Sequence, residues 1–258
     1  MRAVTRAPAR GYLIDIDGTL LADDLPIRGA AETMARLRDA GLPFRLLTNT
    51  TRRPRRAIAA VLEAAGLGVT VPEILTPALL ARRLILDSER KGAVLLVPSE
   101  VFVDFTGVRH DAERPSWVVL GDLGRGFTWE RLNGAFRFLR DGATLLALHK
   151  NRSWFAGKDG LVLDAGAFVA ALEYATGCRA IVVGKPSAEF FRLALEDLGL
   201  PAREVVVVGD DPETDIAGGA AAGCRTALVR TGKAIEGRPA SRGKKRPDRV
   251  IDSIADLL

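Results

Sequence analysis

The chain has 258 residues, 48% of them hydrophobic and 27% charged, enough to bury one large core or two moderate ones. Apolar runs such as Val205 to Val208 fall far short of the about 20 residues that a helical membrane span needs, so no membrane partner is expected. The formal charge of +5 gathers in the first ten residues, in Arg52 to Arg56 and in Lys233 to Arg249; neither the arm nor the late stretch offers an aromatic to stack on bases, which disfavours nucleic acid as a partner and favours a solvated basic surface.

In chain order, short Val, Ile and Leu runs alternate with amphipathic stretches, the pattern of a parallel sheet covered by helices. The fold class is therefore α/β. Residues Tyr12 to Ile16 and Phe44 to Leu47 are predicted strands, with helices from Glu32 to Ala40 and from Arg55 to Ala65. The second helix is started by Pro54 and stopped by Gly66. Later strands are predicted at Ala180 to Val183, Val205 to Val208 and Thr226 to Val229, with helices at Phe190 to Leu198, Asp215 to Ala222 and Asp252 to Leu258.

The stretch between has a rhythm of its own: strands at Ala93 to Val97, Ser116 to Leu120 and Thr144 to Leu148, and helices at Trp129 to Arg140 and Ala165 to Thr176. The expectation is a discontinuous doubly wound core, residues 1–78 and 181–258, with an α/β domain inserted at 79–180. Trp117, Trp129 and Trp154 fall in the insert, where packing is the default role for an aromatic. The basic arm at the N-terminus lacks the small-residue cleavage site of a secretory leader. Cys178 and Cys224 have no metal-ligand spacing and read as reduced thiols of a cytoplasmic protein.

Ligands of an open parallel sheet bind at the carboxyl ends of its strands. Four predicted strand ends carry polar sets: Asp15-Ile-Asp17-Gly18-Thr19, Thr48-Asn49-Thr50, Gly184-Lys185-Pro186 and Gly209-Asp210-Asp211-Pro-Glu-Thr-Asp215. Each set alone could begin a turn or cap a helix. Four of them on one sheet edge, combining paired acids, a hydroxyl and a lysine, point instead to chemistry.

This ordered set resembles the haloacid dehalogenase (HAD) superfamily, whose phosphatases carry Asp-x-Asp-x-Thr, then Thr or Ser, then Lys, then Gly-Asp-x-x-x-x-Asp. The long insert resembles the large α/β cap of one branch. The runs Thr-Asn-Thr, Val-Val-Gly-Lys-Pro-Ser, Ala-Leu-Glu-Tyr-Ala-Thr-Gly and Val-Arg-Thr-Gly-Lys resemble two groups within it, the haloacid dehalogenase-like hydrolase domain-containing proteins and the phospholysine phosphohistidine inorganic pyrophosphate phosphatases. The resemblance implies a Rossmann-like core and a Mg²⁺-dependent hydrolase acting on small phosphorylated substrates. It implies Asp15 as the nucleophile that takes the phosphoryl group, and Asp17 as the acid that protonates the leaving oxygen and then activates water. It also raises a homodimer, because caps of this type take part in dimer contacts in related proteins.

The chemistry supports these roles. Mg²⁺ demands hard oxygen ligands, which Asp15, the backbone carbonyl of Asp17 and Asp210 supply, with Asp215 behind them and Asp211 able to share that duty. Lys185 suits a transferring phosphate, and Thr48 with the amides of Asn49 and Thr50 suits its remaining oxygens. In the insert, His149 and Asn151 of His149-Lys-Asn-Arg152 are candidates for the distal end of a substrate, against a polar turn as the alternative. Asp17 argues for phosphate chemistry, since the dehalogenases of the resembling superfamily have no second aspartate, and its departure from the serine of the phosphoamide group weakens transfer of phosphoamide or pyrophosphate specificity. Alternatives left open are phosphotransfer or phosphomutase action, phosphoamide or pyrophosphate hydrolysis, and a receiver-like Mg²⁺-binding or basic nucleic-acid-binding protein without catalysis.

Overall fold

The computed structural model describes residues 8–155, 160–232 and 246–258; most of the basic arm and residues 233–245 of the late charged stretch lie outside the described residues. In chain order come β1 (Gly11–Asp15), the β2–β3 hairpin (Leu21–Ala22, Leu25–Pro26), α1 (Ala30–Asp39), β4 (Phe44–Leu47), α2 (Arg55–Ala64) and β5 (Ile74–Leu75). Next are α3 (Pro77–Asp87), β6 (Gly92–Leu96), β7 (Arg109–His110), β8 (Trp117–Leu120), α4 (Trp129–Arg140) and β9 (Thr144–Ala147). The β10–β11 hairpin (Ser153–Phe155, Leu161–Leu163), α5 (Ala165–Thr176) and β12 (Ile181–Val182) follow. The chain then forms α6 (Ala188–Leu198), β13 (Val205–Gly209), α7 (Ala217–Ala221), β14 (Arg225–Val229) and β15 (Arg249–Ile251). Among the described residues no helix is long and apolar enough to cross a membrane.

The chain divides into two compact units. The first comprises the described residues up to Thr48, then Ala59–Leu75 and Lys185–Leu258; the second comprises Asn49–Ile58 and Thr76–Gly184. A six-stranded parallel sheet, in the order β15-β14-β13-β1-β4-β5, spans the first unit. All five residues of β1 are buried, as a strand covered on both faces requires. Leu13, Ile14, Leu46, Val207 and Val208 of the sheet, Met34 and Leu37 of α1 and Phe190 and Phe191 of α6 are all buried. Helix α6 ends where Gly199 takes a left-handed turn at φ 71°, a conformation that costs a residue with a Cβ.

The second unit has its own five-stranded parallel sheet, β12-β9-β8-β6-β7. Its core joins Leu96, Val118, Leu120 and Leu145 to Leu139 of α4 and Val169 and Leu172 of α5. Threonine and aspartate caps set the helix starts: Thr128 accepts from Arg131 N at α4, and Asp164 accepts from Ala165 N at α5.

Three expectations change. The strand expected in the core sheet at Ala180 to Val183 is the short β12, and it pairs with β9 of the second sheet, Ile181 opposite Leu146. The second unit therefore runs to Gly184 and not to residue 180. The first sheet draws instead on β5 and β15, two and three residues long, too short to show a period in sequence. The expected helix at Asp215 to Ala222 is a π-helical turn, Pro212–Ile216, leading into α7, because Asp211 caps it by accepting from Glu213 N and Thr214 N. The closing helix reduces to one 3₁₀ turn, Ile254–Asp256, capped by Ser253.

Candidate active site

The carboxyl ends of β1, β4 and β13 lie side by side in the first sheet, and the polar sets that follow them converge. Asp15 closes β1 and is buried. Its Oδ1 takes a short hydrogen bond from Lys185 Nζ, and its Oδ2 accepts from Thr19 Oγ1 at 3.3 Å. The same ammonium donates to Asp215 Oδ1 at 2.7 Å. The Lys185–Pro186 peptide is cis. Asp17, two residues past Asp15, is exposed and accepts from Thr48 Oγ1 through Oδ2 at 3.3 Å. The π-helical turn after β13 winds Asp215 back so that the Asp211 N–H donates to its Oδ2 at 3.1 Å, a widened turn of the kind that often marks function.

Asp15, Asp210 and Asp215 are each buried and can each offer a carboxylate oxygen within 4.8 Å of the other two. Burial and the neighbouring charges of Asp210 and Asp17 push the Asp15 carboxyl up to about 7 against the pull of Lys185. Asp215 is likewise pushed up to about 7 by burial and by Asp15, again against Lys185. Burial pulls the Lys185 ammonium down, but Asp15 and Asp215 override it and hold it charged well above its ordinary range. One cation thus holds both acids in place without offsetting their burial and mutual repulsion. The donor set, hard oxygens in a close buried group, fits a small divalent cation such as Mg²⁺.

Of the other sequence candidates, Asn49 and Thr50 follow Thr48 directly, half-buried, at the start of the second unit. His149 and Asn151 also belong to the second unit, and His149 is buried there. Asn151 N donates to His149 Nδ1 at 3.4 Å, which leaves Nε2 to carry the ring hydrogen toward Thr51 Oγ1 at 3.2 Å and Asp164 Oδ1 at 3.7 Å. Thr51 Oγ1 also accepts from Asp122 N at 2.8 Å. Burial raises the Asp164 carboxyl, with His149 opposing. Nearby, the Arg52 guanidinium lies 5.2 Å from the Trp154 ring centroid and 3.7 Å from Asp122 Oδ2.

A groove of about 520 Å³ in the second unit is lined by residues such as Val94, Leu96, Phe102, Arg131 and Phe138. Sequence reasoning gave no part to Thr19, Thr51 or Thr231. The signal for Thr19 was the threonine of the first motif. For Thr231, whose Oγ1 donates to the Gly18 carbonyl at 2.7 Å across 213 positions, the run Val-Arg-Thr-Gly-Lys was a sign of the family but not of this contact.

Residues 12–107 match the family model described as haloacid dehalogenase-like hydrolase, and residues 182–257 match a HAD-hydrolase-like model. The chain is 42% identical over 229 residues to rat haloacid dehalogenase-like hydrolase domain-containing protein 2, covering 88% of this chain and 86% of the relative. It is 36% identical over 255 residues to rat phospholysine phosphohistidine inorganic pyrophosphate phosphatase, covering 96% and 93%. Among solved structures, p-nitrophenyl phosphatase from Archaeoglobus fulgidus superposes with a TM-score of 0.89 at 29% identity over 97% of this chain and 98% of that one. NagD from E. coli gives 0.86 at 29% identity over 98% and 99%. With the motifs, the sheet order and these relatives in agreement, the chain belongs to the haloacid dehalogenase-like hydrolase family.

Proposed function

We propose that this hydrolase is a Mg²⁺-dependent phosphatase that cleaves phosphate monoesters of small molecules through an aspartyl-phosphate on Asp15. The observation that carries the reading is the buried cluster in which one ammonium, Lys185, bridges Asp15 and Asp215 while Asp210 lies within ligand distance of both. The similarity to a p-nitrophenyl phosphatase supports the reaction class.

In the first half-reaction an Asp15 carboxylate oxygen bonds to phosphorus as the bond from phosphorus to the ester oxygen breaks, and Asp17 gives its proton to that oxygen. In the second, Asp17 takes a proton from water, the water oxygen bonds to phosphorus, and the Asp15–phosphorus bond breaks. Asp17 suits both steps because it is exposed and oriented by Thr48. Lys185 holds the phosphoryl oxygens, and Thr48 with the Asn49 and Thr50 amides completes the cradle. Asp15, the Asp17 carbonyl and Asp210 would hold Mg²⁺, with Asp215 supporting them; when bound, the ion offsets the negative charge of the acids and of the phosphoryl group.

His149 and Asn151 enter this reading as candidates for the far end of the substrate. Cys178 and Cys224 are free thiols, which supports a reducing, cytoplasmic setting. A homodimer belongs to the reading by the family resemblance, and light scattering tests it. The decisive experiment is p-nitrophenyl phosphate turnover with Mg²⁺ and with chelator. Metal-dependent release that Asp15→Asn abolishes is expected; equal release by the variant overturns the reading. A metabolite screen in which phosphoamides or pyrophosphate outrun every ester would reassign the substrate class.

A further inference from the structure

Strand β14 runs parallel to β13, with Leu228 opposite Gly209, so the chain leaving β14 emerges beside Asp210. Arg230 N donates to the Ile251 carbonyl at 3.1 Å, which anchors the first step past the strand. The next two residues then reach the acidic site. Thr231 Oγ1 donates to the Gly18 carbonyl at 2.7 Å. Gly232 lies so near the Asp210 carboxylate that a Cβ on it would fall 2.7 Å from Asp210 Cγ and 2.9 Å from Gly18 Cα. Gly18 presses on the same group, since a Cβ there would also lie 2.7 Å from Asp210 Cγ, and its φ of +83° is itself one that a side chain disfavours.

The Asp210 carboxylate therefore sits between two glycine backbones from opposite ends of the sequence, and the Thr231 hydroxyl fastens the two together. The hold extends to the peptide that carries the Asp17 carbonyl. The nitrogen of that peptide is Gly18 N, which donates to the Leu21 carbonyl at 2.7 Å, while Thr231 fixes the following peptide through the Gly18 carbonyl. With both planes at Gly18 held, the direction of the Asp17 carbonyl is set.

We infer that Thr231 and Gly232 are positioning residues for metal binding: Gly232 leaves room for the Asp210 carboxylate to face the cluster, and Thr231 locks the loop that presents the Asp17 carbonyl. Neither touches substrate. The inference rests on the metal-dependent reading above, and direct metal binding separates the two. Mn²⁺ titrated by calorimetry into the full chain, with circular dichroism and a urea midpoint as checks of folding, is expected to bind Gly232→Ala and Thr231→Val about tenfold or more weakly than the parent, the scale seen when partners that orient metal ligands are removed. Thr231→Ser, which keeps the hydroxyl, restores the parent affinity. The concentration of Mg²⁺ needed for half-maximal turnover shifts in parallel. Folded variants that bind Mn²⁺ as the parent does overturn this inference alone, whereas a parent that binds no Mn²⁺ overturns the phosphatase reading and this one with it. If Gly232→Ala does not fold, the Thr231→Val and Thr231→Ser pair decides.

Discussion

Two buried polar groups follow strand ends in this protein, and they solve the cost of burial in opposite ways. In the second unit, His149, Thr51, Asp122 and Asp164 are tied to hydroxyls, backbone amides and a helix start, so the charge is spread over many fixed dipoles. In the first unit, Asp15, Asp210 and Asp215 crowd together about Lys185, and two of the acids are pushed up to about 7. The first arrangement pairs its polar groups within the unit. The second keeps its like charges crowded, as the proposed metal site would require, and that asymmetry separates the two groups where position at a strand end does not.

The strongest way to sharpen this contrast is to remove the proposed nucleophile. Asp15→Asn is expected to lower Mg²⁺-dependent p-nitrophenyl phosphate turnover by roughly 10³-fold or more, the scale of losing a covalent nucleophile, in a protein that still folds by circular dichroism. Next comes the bridging cation. Lys185→Met leaves buried acids without their ion-pair partner and should destabilise the chain by about 3 kcal/mol, read from urea unfolding at pH 7. A smaller loss, about 2 kcal/mol, is expected from His149→Ala, which strips Thr51 of a buried hydrogen-bond partner and removes the ring 3.7 Å from Asp164; a raised KM with an unchanged urea midpoint would move His149 from the structural group to the substrate.

The smallest effect concerns Cys224, whose thiol burial pushes up to about 11 from 9.0. The folded chain keeps that proton where the unfolded chain has lost it. Its contribution to stability is therefore full below pH 9 and lost as pH rises through 11. Between these values the parent should lose stability more steeply than Cys224→Ala, and a parallel pair of urea-midpoint curves would remove Cys224 from the account.

What the sequence made legible was whatever followed a long buried strand. Asp15, Thr48 and Asp210 each close an apolar run, so their place at the sheet edge follows from the run itself, and the structure brings Asp15, Asp17, Thr48, Lys185 and Asp215 into direct hydrogen bonding. Sheet membership was not legible for Ile181 and Val182, because a parallel strand carries no local mark of its partner, and pairing with Leu146 and Ala147 is a tertiary choice. Strand β15 hid in charged surroundings at Arg249–Ile251. The contact of Thr231 with Gly18 joins distant residues and has no periodic trace. His149 shows the converse limit: a polar residue past a strand has the same sequence signature whether it faces a ligand or braces a turn.

The strand order β13-β1-β4 also bears on how the protein is made. Asp15 sits on a strand that has β4 on one side early in synthesis, but its other neighbour, Val205–Gly209, is made much later than either. Until then the strand of Asp15 presents an open edge, the kind of surface that recruits other chains. Lys185, Asp210 and Asp215 arrive with the same late segment. Assembly of the proposed site and protection of that edge therefore both wait on β13, and a chain cut short before Gly209 lacks both.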